Sequence, residues 1–123
     1  MLRCLIVDDS AHFLAAARTV LERDRISVVG TASTGAQALR LAAELRPDVL
    51  LVDIDLGAES GLRLAGRLAE QAGGAPAPII LISLHSEDDY ADLIAASPAI
   101  GFVPKTTLSG SAIRETLDGV SGD

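Results

Sequence analysis

Two periods alternate along the chain. Short unbroken apolar runs at residues 3–7 (RCLIV), 49–52 (VLLV), 79–83 (IILIS) and 100–104 (IGFVP) read as strands buried on both faces. A more polar run at 26–32 (ISVVGTA) predicts a strand suited to a sheet edge. Between the strands, apolar residues recur at helical spacing. In 10–23 they form one stripe of Phe13, Leu14, Ala17, Val20 and Leu21. Residues 35–45 are Ala-rich and stopped by Pro47, because a residue before proline is steered out of the helical region. Residues 60–72 carry Leu62, Ala65 and Leu68 on one side. Ser86, Glu87, Asp88 and Asp89 have the spacing of a capping box. They predict a helix that turns Tyr90, Leu93 and Ile94 inward and closes at Pro98. A last helix over 109–119 uses Ile113 and Leu117, and 73–78 (GGAPAP) has the composition of a loop.

Five strands alternating with five helices predict an α/β fold. It is one doubly wound parallel sheet with right-handed crossovers and helices on both faces. Strand order 2-1-3-4-5, the flavodoxin-like arrangement, is expected. The chain reads as a single domain over 1–123 with a frayed tail at 119–123.

Composition narrows the function. The 123 residues are 49% hydrophobic, enough for one core, and carry a formal net charge of −7. That acidity argues against binding nucleic acid and suits divalent cations or basic partners. Phe13, Tyr90 and Phe102 are the three aromatic residues, too few for a base-stacking surface. Cys4 is the single cysteine and sits in an apolar run, so it reads as a core residue of a cytoplasmic chain. No signal peptide and no apolar run of spanning length is expected.

The polar residues collect at one edge. Asp8 and Asp9 follow strand one, Asp53 ends strand three, Ser83 ends strand four, and Lys105 follows strand five. In an open parallel sheet the carboxyl ends share an edge, and ligands bind there where the winding reverses. Asp8, Asp9 and Asp53 then meet although they are far apart in sequence. Three carboxylates together repel unless a cation joins them, and Mg²⁺ suits oxygen ligands where phosphate chemistry is involved. Lys105 adds a point charge for a phosphoryl oxygen, and Ser83 a short hydroxyl. A carboxylate nucleophile, a metal, a lysine and a hydroxyl are the parts needed to accept a phosphoryl group. Each residue alone also has a plain structural explanation, such as a helix cap for Asp9 or Ser10 and loop solvation for Asp53 or Asp55. The conjunction carries the signal.

Over nearly its whole length the chain resembles the response-regulator receiver domains of two-component signalling. The likeness rests on IVDDS, LLVDIDLGAESG, IILIS and GFVPK, in that order. The resemblance implies that Asp53 is the phosphoacceptor. It implies that Asp8, Asp9, Asp53 and the backbone carbonyl of Asp55 hold Mg²⁺. Ser83 takes the place of the switch hydroxyl, Lys105 that of the family's lysine, and Phe102 that of an aromatic whose rotamer follows activation. The partners implied are a sensor histidine kinase or phosphotransfer protein and a downstream protein, with a phosphorylation-dependent dimer as a further expectation. No membrane or direct nucleic-acid contact is expected.

Some positions depart from the family pattern. Leu56 and Gly57 stand where Met-Pro is common, Leu84 where Ala or Gly is common, and Thr106 where proline often follows the lysine. Asp55, Leu84 and His85 resemble sites that tune phosphoryl lifetime, although His85 also reads as an exposed residue entering a helix. His12 reads as a helix-surface residue. A haloacid-dehalogenase-like phosphatase also carries a DxD after an apolar run, but there the nucleophile lies on the first strand and the acidic pair comes last. The expected function is therefore a phosphoacceptor signalling domain and not an enzyme. A stand-alone receiver is favoured over a fragment of a DNA-binding regulator.

Overall fold

A computed structural model of the chain describes residues 1–72 and 77–121. Five parallel strands form the sheet: β1 (Leu2–Val7), β2 (Ile26–Ala32), β3 (Val49–Asp53), β6 (Ile79–Ser83) and β7 (Gly101–Pro104). Their order is β2-β1-β3-β6-β7, which is the expected 2-1-3-4-5 once two short extra strands are counted. Those extra strands, β4 (Asp55–Leu56) and β5 (Glu59–Ser60), pair antiparallel as a small hairpin after β3. The helices are α1 (Ala11–Arg23), α2 (Gly35–Leu45), α3 (Gly61–Gln71), α4 (Ala91–Ala95) and α5 (Gly110–Ser121). Residues 73–76 of the loop expected at 73–78 and residues 122–123 of the expected tail lie outside the described residues, and α5 continues through 119–121, where a frayed tail was expected.

Strand pleating divides the core in two. Successive side chains of a strand point to opposite faces. Leu5, Val7, Leu50, Val52, Ile79 and Leu81 therefore pack on one side with Ala38, Leu64 and Leu68 of α2 and α3. Cys4, Ile6, Val49, Leu51, Ile80 and Ile82 pack on the other with Ala17 and Leu21 of α1 and Ile113 of α5. The same alternation sets the site. Asp8 follows Cys4 and Ile6 in phase, and Asp53 follows Val49 and Leu51, so both face the α1/α5 side. Ser83 follows Ile79 and Leu81 and faces the other.

Helix ends are closed by side chains. Ser10, Thr34 and Ser60 accept from the backbone N–H three residues on, capping α1, α2 and α3. At the far end of α2, Arg46 turns left-handed (φ 47°) before Pro47, and the Arg3 guanidinium donates to the Leu45 and Arg46 carbonyls. β2 lies at the edge, as its polarity predicts.

The helix after β6 departs from expectation. The Ser86 side chain caps nothing, Glu87–Asp89 form a 3₁₀ turn, and α4 is confined to Ala91–Ala95. An Asp at the third position is shorter than the Glu or Gln that closes a capping box, so the reciprocal bond does not form. A 3₁₀ turn advances about 120° per residue against about 100° in an α-helix, which throws later residues out of phase. Leu93, expected inward, is 55% exposed, whereas Tyr90 and Ile94 do pack against the α2/α3 core.

Candidate functional site

The carboxyl edge of the sheet gathers the expected residues. A cleft of about 250 Å³ is lined by Asp9, Ser10, Asp53, Asp55, Gly57, Ser83, Leu84, His85 and Lys105. Asp8 is fully buried at its base, and Asp53 and Ser83 are nearly so. Lys105 reaches in from the end of β7, with its side chain only 8% exposed. Its Nζ lies 2.9 Å from Asp53 Oδ2 and 2.5 Å from Asp8 Oδ2, bridging the two strands across the winding switch. The Asp53 contact is an aligned hydrogen bond. The Asp8 contact is a close charge approach that leaves Oδ2 buried without an aligned hydrogen-bond donor.

The remaining carboxylate oxygens are held by main chain. Asp8 Oδ1 accepts from Ser10 N at 2.8 Å, and Asp53 Oδ1 from Asp55 N at 3.1 Å. Burial, the largest effect, pushes the Asp53 carboxyl above the usual carboxylate range. The Lys105 and Asp55 hydrogen bonds oppose that rise, and the Asp8 charge adds to it. Burial alone would lower the Lys105 pKa, but its two carboxylate partners outweigh it and raise it. The ammonium therefore stays charged and neutralises part of the pocket.

One oxygen each from Asp8, Asp9 and Asp53 lie within 4.8 Å of one another. Opposite ligands of a small hard cation are about 4 Å apart, so the set fits Mg²⁺ with a small closing of the carboxylates. Asp8 Oδ2 is buried beside the Lys105 ammonium and, as a carboxylate oxygen with two lone pairs, can meet a cation as well.

The hairpin shapes the mouth. Gly57, with φ 72°, occupies the first central position of its two-residue turn, where glycine favours the II′ geometry that proline cannot adopt. A side chain there would approach Asp9 Oδ2 to 3.1 Å. Gly61 opens α3 directly against the Asp53 backbone, and a Cβ would fall on the Asp53 carbonyl oxygen. The Glu59 carboxylate accepts from Gly35 N at 3.1–3.2 Å, tying the hairpin to the start of α2. The sequence reading missed the hairpin and this tie. The signal was present as Leu56-Gly57-Ala58-Glu59, a two-residue turn with glycine first.

On the far face, Ser83 Oγ accepts from His85 N at 3.0 Å. The His85 ring stands edge-on to Tyr90 at 6.1 Å, and Leu84 is 74% exposed on the rim. Phe102 does not line the cleft. It packs half-buried with Tyr90 against the α2/α3 core, the face toward which Ser83 points. Asp55 is exposed and lines the cleft, and His12 is exposed on α1, away from the lining set.

An acid trio and a lysine thus meet at the switch point of a doubly wound sheet, where ligands of such folds bind. Residues 4–118 match the response regulator receiver domain, and the chain belongs to that family. It is 29% identical over 121 residues to a protein-glutamate methylesterase/protein-glutamine glutaminase of Halobacterium salinarum, covering 98% of this chain and 34% of that protein. It is 31% identical over 105 residues to a putative transcriptional regulator of Pseudomonas aeruginosa, covering 85% and 50%. The solved signal receiver domain of the putative response regulator NarL from Mycobacterium tuberculosis superposes with a TM-score of 0.82. It is 28% identical and is matched over 99% of this chain and 98% of that one. The chain thus spans a third to a half of the length of these curated relatives.

Proposed function

We propose that Asp53 accepts a phosphoryl group from the phosphohistidine of a sensor kinase or phosphotransfer protein, and that the modification switches a protein-interaction surface. The observation that carries this reading is the Lys105 ammonium bridging Asp8 and Asp53 inside an acidic cleft. A carboxylate oxygen of Asp53 attacks phosphorus, the P–N bond breaks, and the electron pair leaves with the imidazole, which takes up a proton. Lys105 stands where the incoming negative charge arrives. Asp8, Asp9, Asp53 and the Asp55 carbonyl are the groups that would hold Mg²⁺. The ion's contribution is to neutralise phosphoryl oxygens among carboxylates that would otherwise repel them.

Ser83 accepts from His85 N through a lone pair, which leaves its O–H to donate to a phosphoryl oxygen. Movement of Ser83 toward the cleft opens space on the face where Phe102 and Tyr90 pack, and Phe102 follows it. Asp55, Leu84 and His85 stand on the rim, where they act on the water that ends the signal. The acidic surface directs output to protein contacts in the cytoplasm, a phosphorylation-dependent dimer among them, and we read the chain as acting without DNA contacts of its own. No helix of the described residues is long and apolar enough to cross a membrane.

The test is label transfer from a phosphohistidine donor and from acetyl phosphate, with Mg²⁺ and with EDTA. Mg²⁺-dependent, base-labile label is expected in the wild type, with none in Asp53→Ala. Equal labelling of that variant would move the acceptor elsewhere.

A further inference from the structure

Lys105 has a third neighbour that neither the acid trio nor the switch accounts for. Its Nζ lies 4.6 Å from the centroid of the Phe13 ring. We propose that Phe13 is a positioning residue for Lys105: its ring face holds the ammonium between Asp8 and Asp53. The proposal deepens the phosphoacceptor reading and rests on it for its kinetic consequence.

An ammonium has three donors and no acceptor, on a flexible four-carbon stem. One hydrogen bond to Asp53 and the charge of Asp8 draw the group from two sides, which leaves it free to swing toward the exposed Asp9 or toward water. The negative face of an aromatic ring attracts a cation and offers it no proton acceptor strong enough to draw it away. Phe13 closes that side, and the lysine side chain is accordingly 8% exposed.

Local bonds fix the ring relative to the acids. Asp8 Oδ1 accepts from Ser10 N at 2.8 Å, and Ser10 Oγ accepts from Phe13 N at 3.2 Å. The residue whose Oδ2 meets the ammonium therefore also sets the start of the helix that carries the ring. Phe13 is only partly buried and packs at the margin of the α1/α5 core, at the end of α1 nearest the cleft. A residue serving as core filler alone is served as well by leucine. When an oxygen of Asp53 becomes bonded to phosphorus, that carboxylate loses charge, and Asp8 with the ring keeps Nζ in place for the phosphoryl oxygens.

The test replaces Phe13 with mono-, di- and trifluorinated phenylalanines, which keep the ring's shape while draining its face of charge. Two readouts are taken. In protein that has met no phosphodonor, the Lys105 ε-methylene protons are expected upfield of their position in Phe13→Leu, as a ring face above them requires. Acetyl-phosphate-driven labelling of Asp53 is expected to slow stepwise with each fluorine, to about fivefold at the end of the series. An ε-methylene shift identical in wild type and Phe13→Leu overturns the contact, and a labelling rate flat across the series overturns the positioning role. The proton shift is read without phosphorylation, so it judges Phe13 even if Asp53→Ala labels like the wild type and the phosphoacceptor reading falls.

Discussion

Asp53 is a charged group in a place that disfavours charge. Its raised pKa means the folded chain binds that proton more readily than the unfolded chain does. As pH rises from the ordinary carboxylate value through the raised one, this group's contribution to stability falls. Asp53→Asn, which cannot ionise, is therefore expected to be more stable than wild type at pH 7 without divalent ions, in urea melts, with the gap closing as pH is lowered. Millimolar Mg²⁺ should reverse the order by stabilising the wild type more than the variant, which has lost one of the carboxylates. A variant less stable than wild type in EDTA would contradict the charge balance described for the cleft. At Gly61 the constraint is steric, because α3 starts against the Asp53 carbonyl. Gly61→Ala should cost about 3 kcal/mol or prevent folding, measured by denaturation. The acids and the lysine were legible in the sequence because each ends a strand or closely follows one. Phe13 was legible only as one apolar position in a helical stripe, since nothing in spacing reveals that its ring faces Lys105.

Elements were readable where one period dominates. The strands at 26–32 and 79–83 and the helix at 35–45 have the bounds expected of them, because apolar runs and a following proline leave few alternatives. The segment after β6 was not, because three consecutive acids imitate a capped helix start while a 3₁₀ turn forms instead. The β4–β5 hairpin was overlooked because strands of two residues have no period. Its tie to α2 makes a prediction at this scale. Glu59→Ala should release the hairpin from Gly35 N and cost about 1 kcal/mol, the worth of a charged cap at a helix N-terminus, with the difference shrinking as salt rises. Unchanged stability at low salt would show that the tie contributes nothing.

Across the whole molecule, a sheet order and a pleat do what no local segment can. Order β2-β1-β3-β6-β7 makes β1 and β3 neighbours, and the shared phase of Cys4, Ile6 and Asp8 with Val49, Leu51 and Asp53 turns both acids to the same face. Lys105 then closes the site from the other side of β6. The function proposed for this chain depends on that convergence presenting Asp53 as the group modified. Borohydride reduces an acyl phosphate on aspartate to homoserine, leaving a permanent mark at the acceptor. After acetyl phosphate and Mg²⁺, peptide mass spectrometry is predicted to find homoserine at residue 53 alone. Homoserine at another acid, or none in protein that carries the label, would contradict it.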